Sequence, residues 1–127
     1  MRMKLNHVHV RSQNVARAEE YYVKVLGGRV VQRCSVPGMP IVRVELGGQV
    51  IALSPPREGI EVEALSGNHR WGAWQIAFQV DDIEAAYREL RQRGAEFRGE
   101  PFEQIPGLKV AYADAPDGIE IELMEFT

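Results

Sequence analysis

The chain carries one cysteine, three histidines and no long apolar run. A lone thiol, Cys34, excludes an internal disulfide and a thiolate-rich metal site; it reads as a bystander in a reducing, cytoplasmic setting. The apolar runs are too short to cross a bilayer, and the opening "MRMKLNHV" lacks the apolar core of a secretory leader, so neither a membrane nor export is expected. Basic residues are not in excess: 15 Lys and Arg stand against 18 Asp and Glu, for a net charge of −3. Without a basic face, nucleic acid is not an expected partner. What is present is ordinary for a globular protein, with 45% hydrophobic and 26% charged residues among 127. That length fits one domain, or two small modules sharing a core.

Because histidine is scarce, its placement is informative. Two of the three fall in "NHVHV", where His7 and His9 alternate with Val8 and Val10. Strand periodicity puts both imidazoles on one face. Such a pair is either the polar side of an edge strand or part of a metal site.

Self-comparison shows a repeat. "HVHVRSQNVARAEEYYVKVLGG" aligns with "QIAFQVDDIEAAYRELRQRGAE", "PGMPIVRVEL" with "PGLKVAYADA", and "GQVIALS" with "GIEIELM", in the same order and at nearly constant offset. Each copy predicts a strand, a helix and three further strands. The first has strands at 5–10, 29–34, 41–46 and 49–53, around a helix with Val15, Ala18, Tyr22, Val25 and Leu26 on one face, capped by Asn14 and ended by Gly27-Gly28. The second has strands at 74–80, 96–98, 109–114 and 119–124, around a helix capped by Asp81 or Asp82, striped by Ile83, Ala86, Tyr87 and Leu90, and stopped by Gly94. "LGGQ" and "APDGI" read as hairpin turns. The expected organisation is therefore α+β: one domain, residues 1–127, built of two tandem βαβββ modules at 1–54 and 74–127. A Pro/Gly-rich linker at 55–73, with a short strand at 60–62, joins them. The curved mixed sheets would enclose a cavity suited to a small molecule, with the helices outside.

Parity assigns the polar chemistry to the sheet faces away from the helices. His7 and His9 oppose Val8 and Val10; Gln75, Ala77 and Gln79 oppose Ile76, Phe78 and Val80; Glu120 and Glu122 oppose Ile119 and Ile121. The repeat pairs His7 with Gln75 and Ala52 with Glu122. His7, Gln75 and Glu122 thus form a candidate donor set for a divalent metal ion (Zn, Fe, Mn, Co or Ni), with the fourth place emptied to Ala52. Gln75 is equally a substrate hydrogen-bonder. His9 reads as an outer or substrate-contacting residue, and Glu120 as a solvent-facing reserve carboxylate. Arg43 and its repeat mate Tyr112 share a face with Glu45 and Asp114. Arg43 is suited to gripping a substrate carboxylate or phosphate, or else to a surface pair with Glu45. His69, Arg70, Trp71 and Trp74 lie in or beside the linker, where the aromatics line a cavity mouth or cover the junction. The charged stretch at 84–93 is a solvated helix face.

The chain resembles the vicinal oxygen chelate superfamily of glyoxalases, methylmalonyl-CoA epimerases, extradiol dioxygenases, and fosfomycin- and bleomycin-resistance proteins. "LNHVHVRSQNVARAEEYYVKVLGG", "WQIAFQVDDIEAAYRELRQRGAEF" and "APDGIEIELME" carry the likeness over almost the whole chain. The resemblance implies that His7 and Glu122 match the first and last metal ligands. It also marks two departures: Gln75 where relatives have His, and Ala52 where they have Glu or Gln. The function it implies is a metal-dependent enzyme of glyoxalase or epimerase type, a lyase or isomerase acting on a small oxygenated substrate. The metal would stabilise an enediolate, with His9 or Glu120 as candidate base and Arg43, Tyr112 and Trp74 touching substrate. The rivals are a non-catalytic drug or metabolite binder and an extradiol-type dioxygenase. A homodimer is expected by resemblance.

Overall fold

The computed structural model describes residues 1–36, 39–62 and 72–127. Strand β1 (Val8–Arg11) begins three residues later than the sequence suggests, so His7 precedes the ladder. Asn14 then caps helix α1 (Val15–Glu20), its Oδ1 accepting from Arg17 N at 3.1 Å. The helix does not run on as a plain α-helix. Tyr21–Val25 form a wider π-helical turn, in which Leu26 N–H reaches Tyr21 O at 3.2 Å. This wider turn buries both Tyr22 and Val25. Gly28 follows where only a hydrogen fits: a Cβ there would lie 2.7 Å from Val44 Cγ1 and 2.8 Å from Tyr22 O.

Strands β2 (Arg29–Val36), β3 (Met39–Leu46) and β4 (Gln49–Ser54) complete this copy. The β3–β4 turn is the expected two-residue hairpin, with Gly47 and Gly48 at φ of 60° and 82°, as a type I′ turn requires. The sheet order is β1-β4-β3-β2, with β1 parallel to β4 and the remaining pairs antiparallel. Its apolar face carries Val42, Val44, Ile51 and Leu53, buried with Ala18, Tyr22 and Val25 of the helical segment.

The second copy repeats the plan. It comprises β5 (Gln75–Gln79), α2 (Ile83–Gln92), β6 (Glu96–Phe97), β7 (Phe102–Ile105), β8 (Leu108–Asp114) and β9 (Glu120–Phe126). Asp82, rather than Asp81, caps α2: its Oδ1 accepts from Ala85 N at 3.0 Å. The order is β5-β9-β8-β6, with β5 parallel to β9 and β7 also paired to β8. Ile83, Ala111 and Leu123 form the buried centre, packed by Phe78, Val80, Ala86, Leu90 and Phe97.

The two copies form two compact units, Met1–Glu63 and Ala64–Thr127. The sheets are open and mixed, and the fold class is α+β as expected. Two local expectations fail. Residues 60–62 form no strand and pair with no strand among the described residues. Strand β7 was not anticipated: β6 and β7 share β8 as neighbour, separated by a bend at Gly99 (φ 135°) and Pro101. Pro37 and Gly38, which open the second repeated segment, and His69, Arg70 and Trp71, lie outside the described residues. No helix among the described residues is long and apolar enough to cross a membrane.

Candidate functional site

Register decides which side chains share the polar face of each sheet, since residues directly opposite project to the same side. In the first unit Val8 pairs with Ile51, His9 with Ala52, and Ala52 in turn with Arg43. The valines therefore face the helix, and His9, Ala52 and Arg43 lie on the other side, as parity predicts. His7 is half-buried, and its ring centroid is 6.0 Å from that of His9. His7 Nδ1 lies 2.7 Å from Asn6 Oδ1. A carboxamide oxygen only accepts, so Nδ1 donates to it and Nε2 is the ring nitrogen turned away from Asn6.

His9 Nε2 sits 2.7 Å from the hydroxyl of buried Ser54. Partial burial holds the imidazole below its ordinary pKa, and Arg11, His7 and Arg43 push in the same direction. At neutral pH the ring is therefore uncharged, with one nitrogen able to take a proton. Arg43 does not pair with Glu45, which bonds Arg29 Nη2 at 2.9 Å. Arg43 Nη1 donates instead to Gln32 Oε1 at 3.0 Å and Cys34 Sγ at 3.2 Å.

In the second unit β9 brings two carboxylates to the polar face. Glu120 is buried rather than solvent-facing. Its Oε2 accepts from Gln75 Nε2 at 2.7 Å and its Oε1 from Arg98 Nη2, while Arg98 Nε reaches Asp114 Oδ1 at 3.3 Å. Both oxygens of the reserve carboxylate are thus engaged. An acceptor-only carboxylate also fixes Gln75, turning its nitrogen inward and leaving Oε1 as the donor end.

Glu122 is buried with a different environment. Burial raises its pKa, and the Tyr112 hydroxyl, which donates to it, works against that rise. Tyr112 in turn accepts from Gln104 Nε2 at 2.8 Å, so Gln104, Tyr112 and Glu122 form one chain of hydrogen bonds. Tyr112 and Glu122 are lateral partners on β8 and β9. Trp74 is half-buried just before β5, its carbonyl accepting from Glu120 N at 2.8 Å.

The residues named from sequence fall into two groups. His7, His9 and Arg43 belong to the first unit; Gln75, Glu120, Glu122, Tyr112 and Trp74 belong to the second. Among the described residues no cluster of three or more His, Cys, Asp or Glu is gathered. The expected donor set contains only two residues of those types. Its chemistry nonetheless fits a metal, because each candidate ligand has an outer partner that selects its donor atom: Asn6 for His7, Glu120 for Gln75, Tyr112 for Glu122. Outer hydrogen bonds of this kind are a regular feature of protein metal ligands. Sequence reading passed over Asn6, Ser54, Arg98 and Gln104. Asn6 adjoins His7 and was discoverable; Arg98 and Gln104 act across strands, and their targets follow only from register.

Comparison with known proteins agrees with this fold. The family model described as Glyoxalase/Bleomycin resistance protein/Dioxygenase superfamily matches residues 4–123. The human mitochondrial methylmalonyl-CoA epimerase is 30% identical over 94 residues, 71% of this chain and 53% of that protein, so the chain spans about half its length. Lactoylglutathione lyase of Shigella flexneri is 26% identical over an alignment of 133 positions, covering 97% of this chain and 93% of the lyase. The crystal structure of a glyoxalase family protein from Enterococcus faecalis superposes with a TM-score of 0.79 at 24% identity, covering 96% of this chain and 97% of the other. That likeness carries the fold.

Proposed function

Because the chain belongs to the Glyoxalase/Bleomycin resistance protein/Dioxygenase superfamily, we propose that it is a metal-dependent lyase or isomerase that moves a proton next to a carbonyl of a small oxygenated substrate. Two curated relatives are named for such chemistry, a lactoylglutathione lyase and a methylmalonyl-CoA epimerase. The observation that carries the reading is the set of outer partners that leave His7 Nε2, Gln75 Oε1 and the Glu122 carboxylate as donor atoms. A buried carboxylate without a cation is costly. A divalent ion at Glu122 removes that cost, as the Tyr112 hydroxyl does in part.

His7, Gln75 and Glu122 would hold the ion, one of Zn, Fe, Mn, Co or Ni. When bound, it supplies Lewis-acid polarisation of the substrate oxygens. The protein's own groups do the rest. His9, kept uncharged by burial and neighbouring cations, takes the proton at a ring nitrogen, with Ser54 orienting the ring. Glu120 is assigned to holding Gln75 and Arg98 rather than to proton transfer, since both its oxygens are engaged. Arg43 grips the substrate, and Tyr112 and Trp74 complete the contacts. The wider proposal is a cytoplasmic homodimer, on family grounds.

The test is exchange of a carbon-bound proton with deuterated solvent, followed by NMR on 2-oxo hemithioacetals and 2-substituted malonyl thioesters, with each metal supplied in turn. Metal-dependent exchange that is lost in His9→Ala supports the reading; no exchange with any metal refutes it. A second reading, a non-catalytic small-molecule binder, draws on Ala52, which contributes no donor where the repeat has Glu122. It predicts tight ligand binding without exchange. Ring cleavage by a dioxygenase would instead consume oxygen.

A further inference from the structure

A row of polar residues crosses the second sheet beside Glu122. Gln75, Glu120, Asp114 and Glu96 are lateral partners in turn on β5, β9, β8 and β6. Three of the four are acids, and like charges directly opposite one another repel. Arg98 supplies the cation. It follows β6 where the chain bends at Gly99, and its backbone N–H donates to the Tyr112 carbonyl at 2.9 Å. Its guanidinium reaches Asp114 Oδ1 through Nε at 3.3 Å and Glu120 Oε1 through Nη2. The same group lies 6.0 Å from the centroid of the Tyr112 ring, within cation–π range. Backbone, acid and ring together fix where the guanidinium meets Glu120.

At the other end of the row, Gln75 Nε2 donates to the second oxygen of Glu120 at 2.7 Å. The two ends of a carboxamide have nearly the same shape, so hydrogen bonds choose which end turns outward. The choice matters, because the oxygen can bind a metal ion and the NH2, which only donates, cannot. Glu120 makes that choice while its carboxylate keeps its rotation, and Arg98 on Oε1 fixes the rotation. Without the cation Glu120 is a buried, unpaired charge, a state relieved by turning toward water. Gln75 would then present either end. In the first unit the support differs: Val50 stands where the repeat has Glu120, and His7 donates to neutral Asn6, which needs no counter-ion.

We propose that Arg98 is a positioning residue, which acts through Glu120 to hold Gln75 with its carboxamide oxygen turned outward. The inference rests on the proposed function only for the metal ion that this oxygen would meet. The orientation of Gln75 itself is measurable in metal-free protein. Arg98 is half-exposed whereas Glu120 is buried, so replacing the arginine removes the interaction without opening a cavity in the core.

The experiment takes two readouts on the intact chain, with melting temperature reporting the folding of every variant. The first is NMR of the Gln75 side-chain NH2 in chelator-treated protein, assigned by its loss in Gln75→Ala. Wild type should show one amide proton shifted downfield and slow to exchange with water. In Arg98→Ala that exchange should quicken by about tenfold or more, the worth of a hydrogen bond to a charged group. Arg98→Lys, which keeps the charge, should recover part of the protection. The second readout is competition of Zn²⁺ and Ni²⁺ against a chelator. Affinity should fall by about tenfold or more in Arg98→Ala and in Glu120→Gln, as for other outer partners of metal ligands. The double variant should fall no further, because both changes break one connection. A Gln75 amide identical in Arg98→Ala and wild type overturns the proposal, and so do affinity losses that add in the double variant. Wild type that binds neither ion refutes the metal reading instead, and the amide signals still decide the role of Arg98.

Discussion

Replacing Tyr112 by phenylalanine tests the logic of the second unit with a single oxygen atom. The Tyr112 hydroxyl donates to Glu122 and accepts from Gln104 at 2.8 Å. Phenylalanine keeps the ring, which lies 6.3 Å from Phe102 between centroids, and removes only the relay. A hydrogen bond to a charged group is worth about 1.5–3 kcal/mol. Loss of an outer partner of a metal ligand typically costs about 10- to 100-fold in affinity, which is the same range. Metal titration of Tyr112→Phe against a competing chelator should therefore show affinity at least tenfold weaker than wild type. Without metal, the Glu122 pKa should climb further above its ordinary value, because burial raises it and the hydroxyl opposes the rise. The sign of the stability effect follows. A carboxyl whose folded pKa is raised penalises the folded state as pH rises through that pKa, and the penalty vanishes in acid. Tyr112→Phe should thus be less stable than wild type at neutral pH, with the gap closing as pH falls below the Glu122 pKa. Equal metal affinity, or a stability gap independent of pH, would refute the hydrogen-bond account.

Other outcomes follow from the same geometry. Gly28→Ala forces a methyl to 2.7 Å from Val44 Cγ1 and 2.8 Å from a backbone carbonyl. Overpacking of this kind costs about 1–3 kcal/mol, readable as a lower urea midpoint. For His9, whose pKa is lowered from 6.5, the acid limb of the pH–rate profile should lie below 6.5, and Arg43→Gln should move it upward by removing a like charge. Its stability penalty is absent above 6.5 and grows as pH falls through the depressed pKa, so His9→Gln should soften the acid loss of stability. Glu19 is bonded by both terminal nitrogens of Arg33, which holds its carboxyl below the ordinary value. That contribution is present above the unfolded glutamate pKa and is lost as pH falls through the depressed one. Glu19→Gln should remove a small, salt-sensitive part of the acid transition.

Much of this fold was legible in local chemistry. Asn14 and Asp82 announce helix starts because their side chains replace missing backbone acceptors, and both do so. Gly47-Gly48 announces the hairpin because only glycine enters that turn freely. Alternation separated the valines of β1 from His9, since a strand leaves no other choice of face. What escaped detection depends on neighbours that are remote in sequence. Strand β7 is exposed along its length, so no burial pattern marks it; it exists through pairing with β8. The π-helical turn, in which Tyr22 and Val25 are buried, departs from the regular helical period that a sequence stripe expresses. Glu120 looked like a solvent carboxylate because Arg98, the cation paired with it, is 22 residues away. The same reason hid the link from Gln104 through Tyr112 to Glu122.

The central claim is that His7 and Glu122 hold a metal ion, and elemental analysis tests it most directly. Untagged protein purified without chelators, beside His7→Ala and Glu122→Ala, should contain close to one transition-metal ion per chain, and both variants should lose it while retaining their fold. A wild-type protein that binds none of the five candidate ions even after incubation with each, or variants that keep full occupancy, would contradict the account.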